Sequence, residues 1–114
     1  MRSREVKKLL WDIEEACGLL LKFTQGRTLE QYLEDDLLRS AVERQAEIAG
    51  EALKRAADID PSISEHISDF RAIIAFRNRL AHGYWDIAPE TVWVIGTTDA
   101  ARLLAQVRAL MAEP

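Results

Sequence analysis

The sequence predicts an all-α protein, an up-and-down bundle of about four main helices. Apolar residues recur at three-to-four spacing over long stretches, and glycine or proline separates most of these stretches. The best candidate for a strand, residues 92–95, is short and has helical patterns on both sides. A chain of 114 residues can bury one core, so we expect residues 1–114 to form a single domain.

The first helix is predicted from about Arg4 to Phe23, because apolar residues mark one face and charged residues fill the other. Cys17 lies within the apolar face, and no cationic neighbour is evident that would lower its pKa. We therefore expect a buried structural cysteine rather than a nucleophile. Gly26 is a natural stop after this helix.

Capping residues predict where the next two helices begin. Thr28 and Gln31 match a capping box, so a short helix is expected directly after Thr28. Asp35 offers a cap for a second long helix, which extends to about Ala57. Gly50 falls in the middle of that helix, where glycine costs about 1 kcal/mol relative to alanine. We therefore expect another helix to approach closely at Gly50.

A third main helix is expected after Pro61, which prevents continuation of the second. Ser64 or Ser68 can cap this third helix, which runs to about His82. Gly83 follows as a stop, since glycine tolerates the left-handed conformation that closes helices.

A fourth helix is predicted to begin at Pro89, because proline suits the first helical turn. Residues 96–99, Gly-Thr-Thr-Asp, are expected to kink or break it. Its apolar positions resume at Leu103 and continue to Met111.

The charge and cysteine content restrict the function classes. A net charge of -4 and a sequence pI near 5.2 argue against a broad electrostatic nucleic-acid binder, but they leave room for a small phosphate site. The single cysteine allows no disulfide within the chain, which fits a reducing compartment. Charged residues interrupt the N-terminal apolar pattern, so neither a signal peptide nor a membrane span is expected. These features predict a cytoplasmic protein without membrane association.

Groups suited to phosphodiester chemistry concentrate at the end of the third helix. Arg77 offers a fork of donors to phosphate, and His82 can move protons near neutrality. The two residues are five positions apart, which places them about 140° from each other around an ideal helix. They therefore do not converge easily within one chain. A site that uses Arg77, His82 and Tyr84 together is easier to build where two copies of the helix meet, which predicts a homodimer.

No metal or cofactor motif accompanies these residues. Ile63 and Arg79 stand three residues before the two histidines, so the Glu-x-x-His pattern of di-iron bundles is missing. The sequence also contains no Cys-x-x-Cys, P-loop or G-x-G-x-x-G motif. We therefore predict neither a metal site nor a cofactor.

The run from Arg77 to Tyr84, Arg-Asn-Arg-Leu-Ala-His-Gly-Tyr, resembles the R-x4-H-x-Y signature of the HepT-like toxins, a branch of the HEPN superfamily. Residues 23–26, 47–55 and 91–93 also look like that family's pattern. The resemblance implies a HEPN-like fold and a homodimer whose two motifs line one cleft. It also implies a metal-independent endoribonuclease that acts as the toxin of a type VII-like toxin–antitoxin pair.

The resemblance further implies a partner and a role for each motif residue. The partner would be a minimal nucleotidyltransferase antitoxin of the MntA type, which transfers AMP from ATP onto Tyr84 and thereby blocks RNA. His82 would be the acid/base that helps the ribose 2′-hydroxyl attack phosphorus, and Arg77 would stabilise the charge on the phosphoryl oxygens. Asn78 would orient His82 or the motif backbone, Arg79 would be an auxiliary phosphate contact, and Tyr84 would contact RNA.

Two other interpretations stay open at the level of the sequence. A non-catalytic dimeric helical module could bind a nucleotide or a nucleotidyltransferase partner through the same cleft. A purely structural helical protein could use Arg77 and His82 to terminate the helix and pack a dimer. The structural interpretation predicts that substitution of either residue harms stability rather than activity.

Overall fold

A computed structural model describes residues 2–83 and 87–113, and within these ranges the chain is helical with no strand. The all-α prediction is therefore confirmed. Among the described residues, no helix combines the length and the apolarity that crossing a membrane would require. The elements in chain order are α1 (Arg4–Thr24), α2 (Leu29–Glu34), α3 (Asp36–Ile59), a 3-10 helix (Pro61–His66), α4 (Phe70–Gly83), α5 (Pro89–Val94), a π-helical turn (Ile95–Asp99) and α6 (Ala100–Ala112).

The two longest helices, α1 and α3, form the centre of the bundle and pack most extensively on each other. Helix α6 packs against α1, whereas α4 packs mainly on α3. One buried cluster joins α1, α3, the 3-10 helix and α6, and a second cluster surrounds Tyr32, Val42, Leu80 and Val92. Leu80 thus anchors the end of α4 in the second cluster, while most of its neighbours on α4 remain partly or fully exposed.

The predicted caps at the starts of α2 and α3 are confirmed. The Thr28 hydroxyl accepts from the backbone N–H of Gln31 at 3.1 Å, and the Gln31 side chain accepts from the Thr28 N–H at 3.0 Å. At the start of α3, the Asp35 carboxylate accepts from the backbone N–H of Leu38 at 3.0 Å. After α1, Gly26 adopts φ 73°, a left-handed conformation that favours glycine. These local interactions set the helix boundaries that the sequence predicts.

The segment between α3 and α4 differs from the prediction. Residues 61–66 form a 3-10 helix, an element that the sequence did not predict, with Pro61 at its first position. Neither predicted serine caps α4, because this helix begins at Phe70 and Asp69 precedes it. The Ser64 hydroxyl instead donates to the Pro61 carbonyl at 2.8 Å, while Ser68 accepts from the side-chain amide of Gln106 on α6 at 2.9 Å. Ser68 therefore contacts Gln106, a residue distant in sequence, instead of capping α4.

The last helical region begins at Pro89, as predicted. Residues 92–95, the weak strand candidate, are helical. Residues 95–99 widen into one π-helical turn without breaking the helix. Gly96 is buried there, and a Cβ added to it would lie 3.1 Å from the Val42 Cγ1 atom. The glycine therefore allows the widened turn to pack closely on α3.

Cys17 is fully buried in the core, as predicted, and burial raises the pKa of its thiol to about 12. Because the thiolate is the reactive form, the folded protein should resist alkylation by iodoacetamide at about pH 8. The protein unfolded in guanidinium chloride should react at the rate of an ordinary thiol. Mass spectrometry of timed reactions measures both rates. Equal rates in the two states would contradict the buried placement of Cys17.

Candidate functional site

The stem of Arg77 rests directly on α3 at Gly50. A Cβ atom added to Gly50 would lie 2.6 Å from the Arg77 Cβ atom and 2.8 Å from its Cγ atom. Real Cβ atoms do not approach that closely, so only glycine leaves room for the arginine in this position. The expected close approach at Gly50 is therefore confirmed, and the group that fills the space belongs to the candidate site.

The guanidinium of Arg77 is held at two of its nitrogens. Nη2 forms an ion pair with the carboxylate of Glu51, and Nη1 donates to the Asn78 side-chain oxygen at 2.9 Å. The Arg77 side chain is 20% exposed and that of Glu51 is 40% exposed, so the pair lies at the edge of the interface between α3 and α4. Arg77 is consequently a fixed cation rather than a freely moving surface arginine.

The other described motif residues point away from this interface. Asn78, Arg79 and His82 are exposed on α4, and His82 lies in its last turn. The five-residue spacing predicts this divergence, in which Arg77 faces α3 and His82 faces solvent. The predicted roles of Asn78 in orienting His82 and of Arg79 in contacting phosphate stay predictions. What the structure adds is that Asn78 accepts a hydrogen bond from Arg77.

The tyrosine of the motif is outside the described part of the chain. Tyr84, predicted to contact RNA and to be modified, lies within residues 84–86, directly after the end of α4 at Gly83. Its role remains a prediction. Among residues 2–83 and 87–113, no group of three or more His, Cys, Asp or Glu side chains could hold a metal ion.

A surface cavity of about 320 Å³ opens beside Arg77, between α1 and α3. Its charges are mixed, and Arg44 and Glu47 form an ion pair within it at 3.1 Å. The lining residues are Leu9, Asp12, Arg44, Glu47, Ile48, Glu51, Ala52, Arg55 and Arg77.

The sequence-based interpretation missed Glu51 as a partner of Arg77. Glu51 directly follows Gly50, the position where a close helix contact was already expected, so that adjacency was the available signal. The identity of its partner depends on the packing of α4 on α3, which the sequence alone does not specify.

Substitution of Gly50 by alanine tests the contact with Arg77. Alanine favours the helix by about 1 kcal/mol, but its Cβ would overlap the Arg77 stem and displace α4 or the guanidinium. We expect thermal stability to change little or to fall, and any activity that depends on Arg77 to fall more strongly. Gly18→Ala is a matched control, since a Cβ at Gly18 meets nothing within 4 Å. A Gly50→Ala protein as active as Gly18→Ala would contradict the contact.

Comparison of the sequence with known proteins identifies relatives of this chain. The sequence model of the family described as ribonuclease HepT-like matches residues 13–110. A protein of Thermococcus cleftensis named "Probable ribonuclease HepT" is 32% identical over 91 residues, which are 80% of this chain and 82% of that protein. "Putative RNase MJ1216" of Methanocaldococcus jannaschii is 30% identical over 93 residues, covering 82% of this chain and 76% of the relative. No solved structure gives a significant match. The chain therefore belongs to the HepT-like ribonuclease family.

Proposed function

We propose that the protein is a metal-independent endoribonuclease toxin in which Arg77 and His82 carry the reaction. One observation supports this above the others: α3 fixes the Arg77 guanidinium by an ion pair at the edge of the interface, while His82 lies exposed at the end of the same helix. A fixed cation that is partly exposed suits phosphate binding, and an exposed imidazole suits proton transfer. Membership of the HepT-like ribonuclease family supports ribonuclease activity.

In the proposed reaction, RNA supplies its own nucleophile. The imidazole of His82 takes the proton of a ribose 2′-hydroxyl, and the 2′-oxygen forms a bond to the adjacent phosphorus. The bond from phosphorus to the 5′-oxygen breaks, and the leaving oxygen takes a proton from a protonated His82 imidazole. Arg77 stabilises the charge that builds on the non-bridging oxygens. The products are a 2′,3′-cyclic phosphate and a 5′-hydroxyl.

The proposed active form is a homodimer in which α4 of one copy lies beside α4 of the other. Helix α4 packs mainly on α3. Its apolar residues Phe70, Ile73 and Phe76 remain only half-buried. An open cavity of about 190 Å³ lies between α4 and α6. A second copy would cover these groups and bring an Arg77 and a His82 from different chains towards one cleft.

The proposed regulation is modification by a partner. A minimal nucleotidyltransferase antitoxin of the MntA type would transfer AMP from ATP to the Tyr84 hydroxyl and release pyrophosphate. The added nucleotide would place bulk and negative charge two residues from His82, where it would exclude RNA. This proposal is supported by the presence of the motif tyrosine in the sequence. We further propose that the protein, its partner and RNA meet in the cytoplasm.

Incubation of the purified protein with total RNA in excess EDTA tests the proposed activity. Mass spectrometry first verifies that Tyr84 carries no adduct from expression. We expect cleavage under these conditions, because neither proposed catalytic group needs a divalent ion. Cleavage that requires added magnesium or manganese, or no cleavage by adduct-free protein, would overturn the proposal.

A non-catalytic module that binds a nucleotide or a nucleotidyltransferase is the second candidate function. The ion pair between Glu51 and Arg77 favours it, since the carboxylate offsets part of the charge that would attract RNA phosphates. Such a module would bind its ligand and leave RNA intact in EDTA. The cleavage assay therefore separates the two candidates directly.

A further inference from the structure

We propose that Glu51 is a positioning residue for the reaction, acting through Arg77 and not on RNA itself. This inference rests on the proposed endoribonuclease activity and assigns a task to a residue outside the R-x4-H-x-Y motif. It follows from how the guanidinium is oriented between α3 and α4.

The orientation is visible from which nitrogens are engaged. Arginine presents two edges for paired hydrogen bonds, one formed by Nε and Nη2 and the other formed by Nη1 and Nη2. In this chain Nη2 meets the Glu51 carboxylate, and the Arg77 Nε atom is buried without a hydrogen-bond partner among the described residues. The edge formed by Nε and Nη2 therefore faces α3. Nη1 lies on the exposed side, where it donates to Asn78.

The backbone of α3 at Gly50 also restricts the Arg77 side chain, through contact with its stem. The Arg77 Cβ and Cγ atoms occupy the space that a side chain at this position would fill. With its stem against Gly50 and Nη2 on Glu51, the guanidinium has few rotamers left. The Nη1 end is thereby presented towards solvent, which is the side from which a phosphate must arrive.

The cost of this arrangement is partial neutralisation of Arg77. A carboxylate beside the arginine weakens its attraction for RNA, so removal of Glu51 should leave RNA affinity equal or improved. Precise placement matters more for the chemical step, since misplacement by about 1 Å can cost about 100-fold in rate. When Glu51 is replaced, we therefore expect RNA binding to stay equal or to tighten, so that KM is unchanged or lower, while the slower chemical step lowers kcat.

Steady-state kinetics of Glu51→Ala tests the inference. We expect kcat to fall at least about 10-fold with KM unchanged or lower. Glu51→Gln keeps an acceptor oxygen for Nη2 and should recover part of the lost rate. Glu47→Ala is the matched control, because Glu47 lies one turn earlier on α3 and pairs with Arg44 instead. We expect its kcat to stay within about twofold of the wild type.

A double-mutant cycle distinguishes positioning from direct catalysis. In an Arg77→Ala background, Glu51→Ala should cause no further loss of kcat, since the group it positions is gone. A further loss of the same size would show that Glu51 acts on the substrate and would overturn the inference. A Glu51→Ala enzyme with wild-type or raised kcat would also overturn it.

A spectroscopic readout separates failure of this inference from failure of the proposed function. The Nη2 hydrogens of Arg77, observed by ¹⁵N NMR without any RNA, should exchange slowly in the wild type and rapidly in Glu51→Ala, because Nη2 is the nitrogen paired with Glu51. Rapid exchange in both proteins would refute the positioning role whatever the enzyme does. Slow exchange lost on substitution, in a protein that never cleaves RNA, would refute only the proposed activity.

Discussion

Replacement of His82 by alanine is expected to lower kcat for RNA cleavage by about 10²–10⁴-fold, the usual contribution of a general acid or base. The imidazole is exposed at the end of α4, so its removal leaves no cavity in the core. We therefore expect the circular dichroism spectrum and the melting temperature to stay close to those of the wild type. Initial rates on a short RNA of defined sequence, measured in EDTA, give the change in kcat.

The second histidine of the chain provides the control for this substitution. His66 is also exposed, but it lies in the 3-10 helix before α4. His66→Ala should cleave RNA at the wild-type rate. Equal activity of the His82→Ala and His66→Ala proteins would remove His82 from the reaction. A large fall in the melting temperature of His82→Ala would favour a structural role instead.

Replacement of Arg77 by alanine is expected to lower kcat by about 10²–10³-fold, comparable to the loss of one donor that stabilises a transition-state oxyanion. The change also leaves the Glu51 carboxylate unpaired beside the core. Because that carboxylate is 40% exposed, we expect the free energy of unfolding to fall by only about 1 kcal/mol. Activity should therefore decline far more than stability, which combined kinetics and chemical denaturation will show.

Two further substitutions sharpen the interpretation of Arg77→Ala. Arg77→Lys keeps the charge but loses the planar fork, so it should recover only part of the rate. Arg71→Ala removes an exposed arginine from the first half of the same helix, and it should leave cleavage unchanged. If Arg71→Ala reduced cleavage as much as Arg77→Ala, the effect would reflect the general charge of α4 rather than a specific phosphate contact.

Much of the fold follows from short-range sequence signals. The Thr28–Gln31 capping box, the Asp35 cap and Pro89 each depend on residues within one helical turn, and each appears where the sequence predicts it. The buried state of Cys17 follows equally from its place in an apolar stripe. Local hydrogen bonding and helical periodicity are sufficient for such predictions.

Features that depend on contacts distant in sequence were predicted poorly. Ser68 was expected to cap a helix, but the side-chain amide of Gln106 on α6 donates to its hydroxyl. Within the π-helical turn at residues 95–99, Gly96 is buried and packs closely on Val42 of α3. In both cases tertiary contacts override local preference, and a single sequence does not show which residues will meet.

The residues of the candidate site also differ in whether the local sequence could predict them. Arg77 and His82 could be recognised from residue type and spacing, and the close approach at Gly50 from its helical position. Glu51 could not be assigned, because an ion pair between α3 and α4 depends on the rotation of each helix about its axis. The sequence therefore indicated where another helix approaches α3, at Gly50, but it did not identify Glu51 as the partner of Arg77.

Analysis of the RNA ends produced by adduct-free protein in EDTA tests the central claim most directly. The proposed attack by the 2′-hydroxyl predicts a 2′,3′-cyclic phosphate on one fragment and a 5′-hydroxyl on the other. Kinase labelling without prior phosphatase treatment detects the 5′-hydroxyl of the downstream fragment, and mass spectrometry of the upstream fragment identifies the cyclic phosphate at its 3′ end. Fragments with 3′-hydroxyl and 5′-phosphate ends would instead require attack by water, and they would contradict the roles assigned to Arg77 and His82.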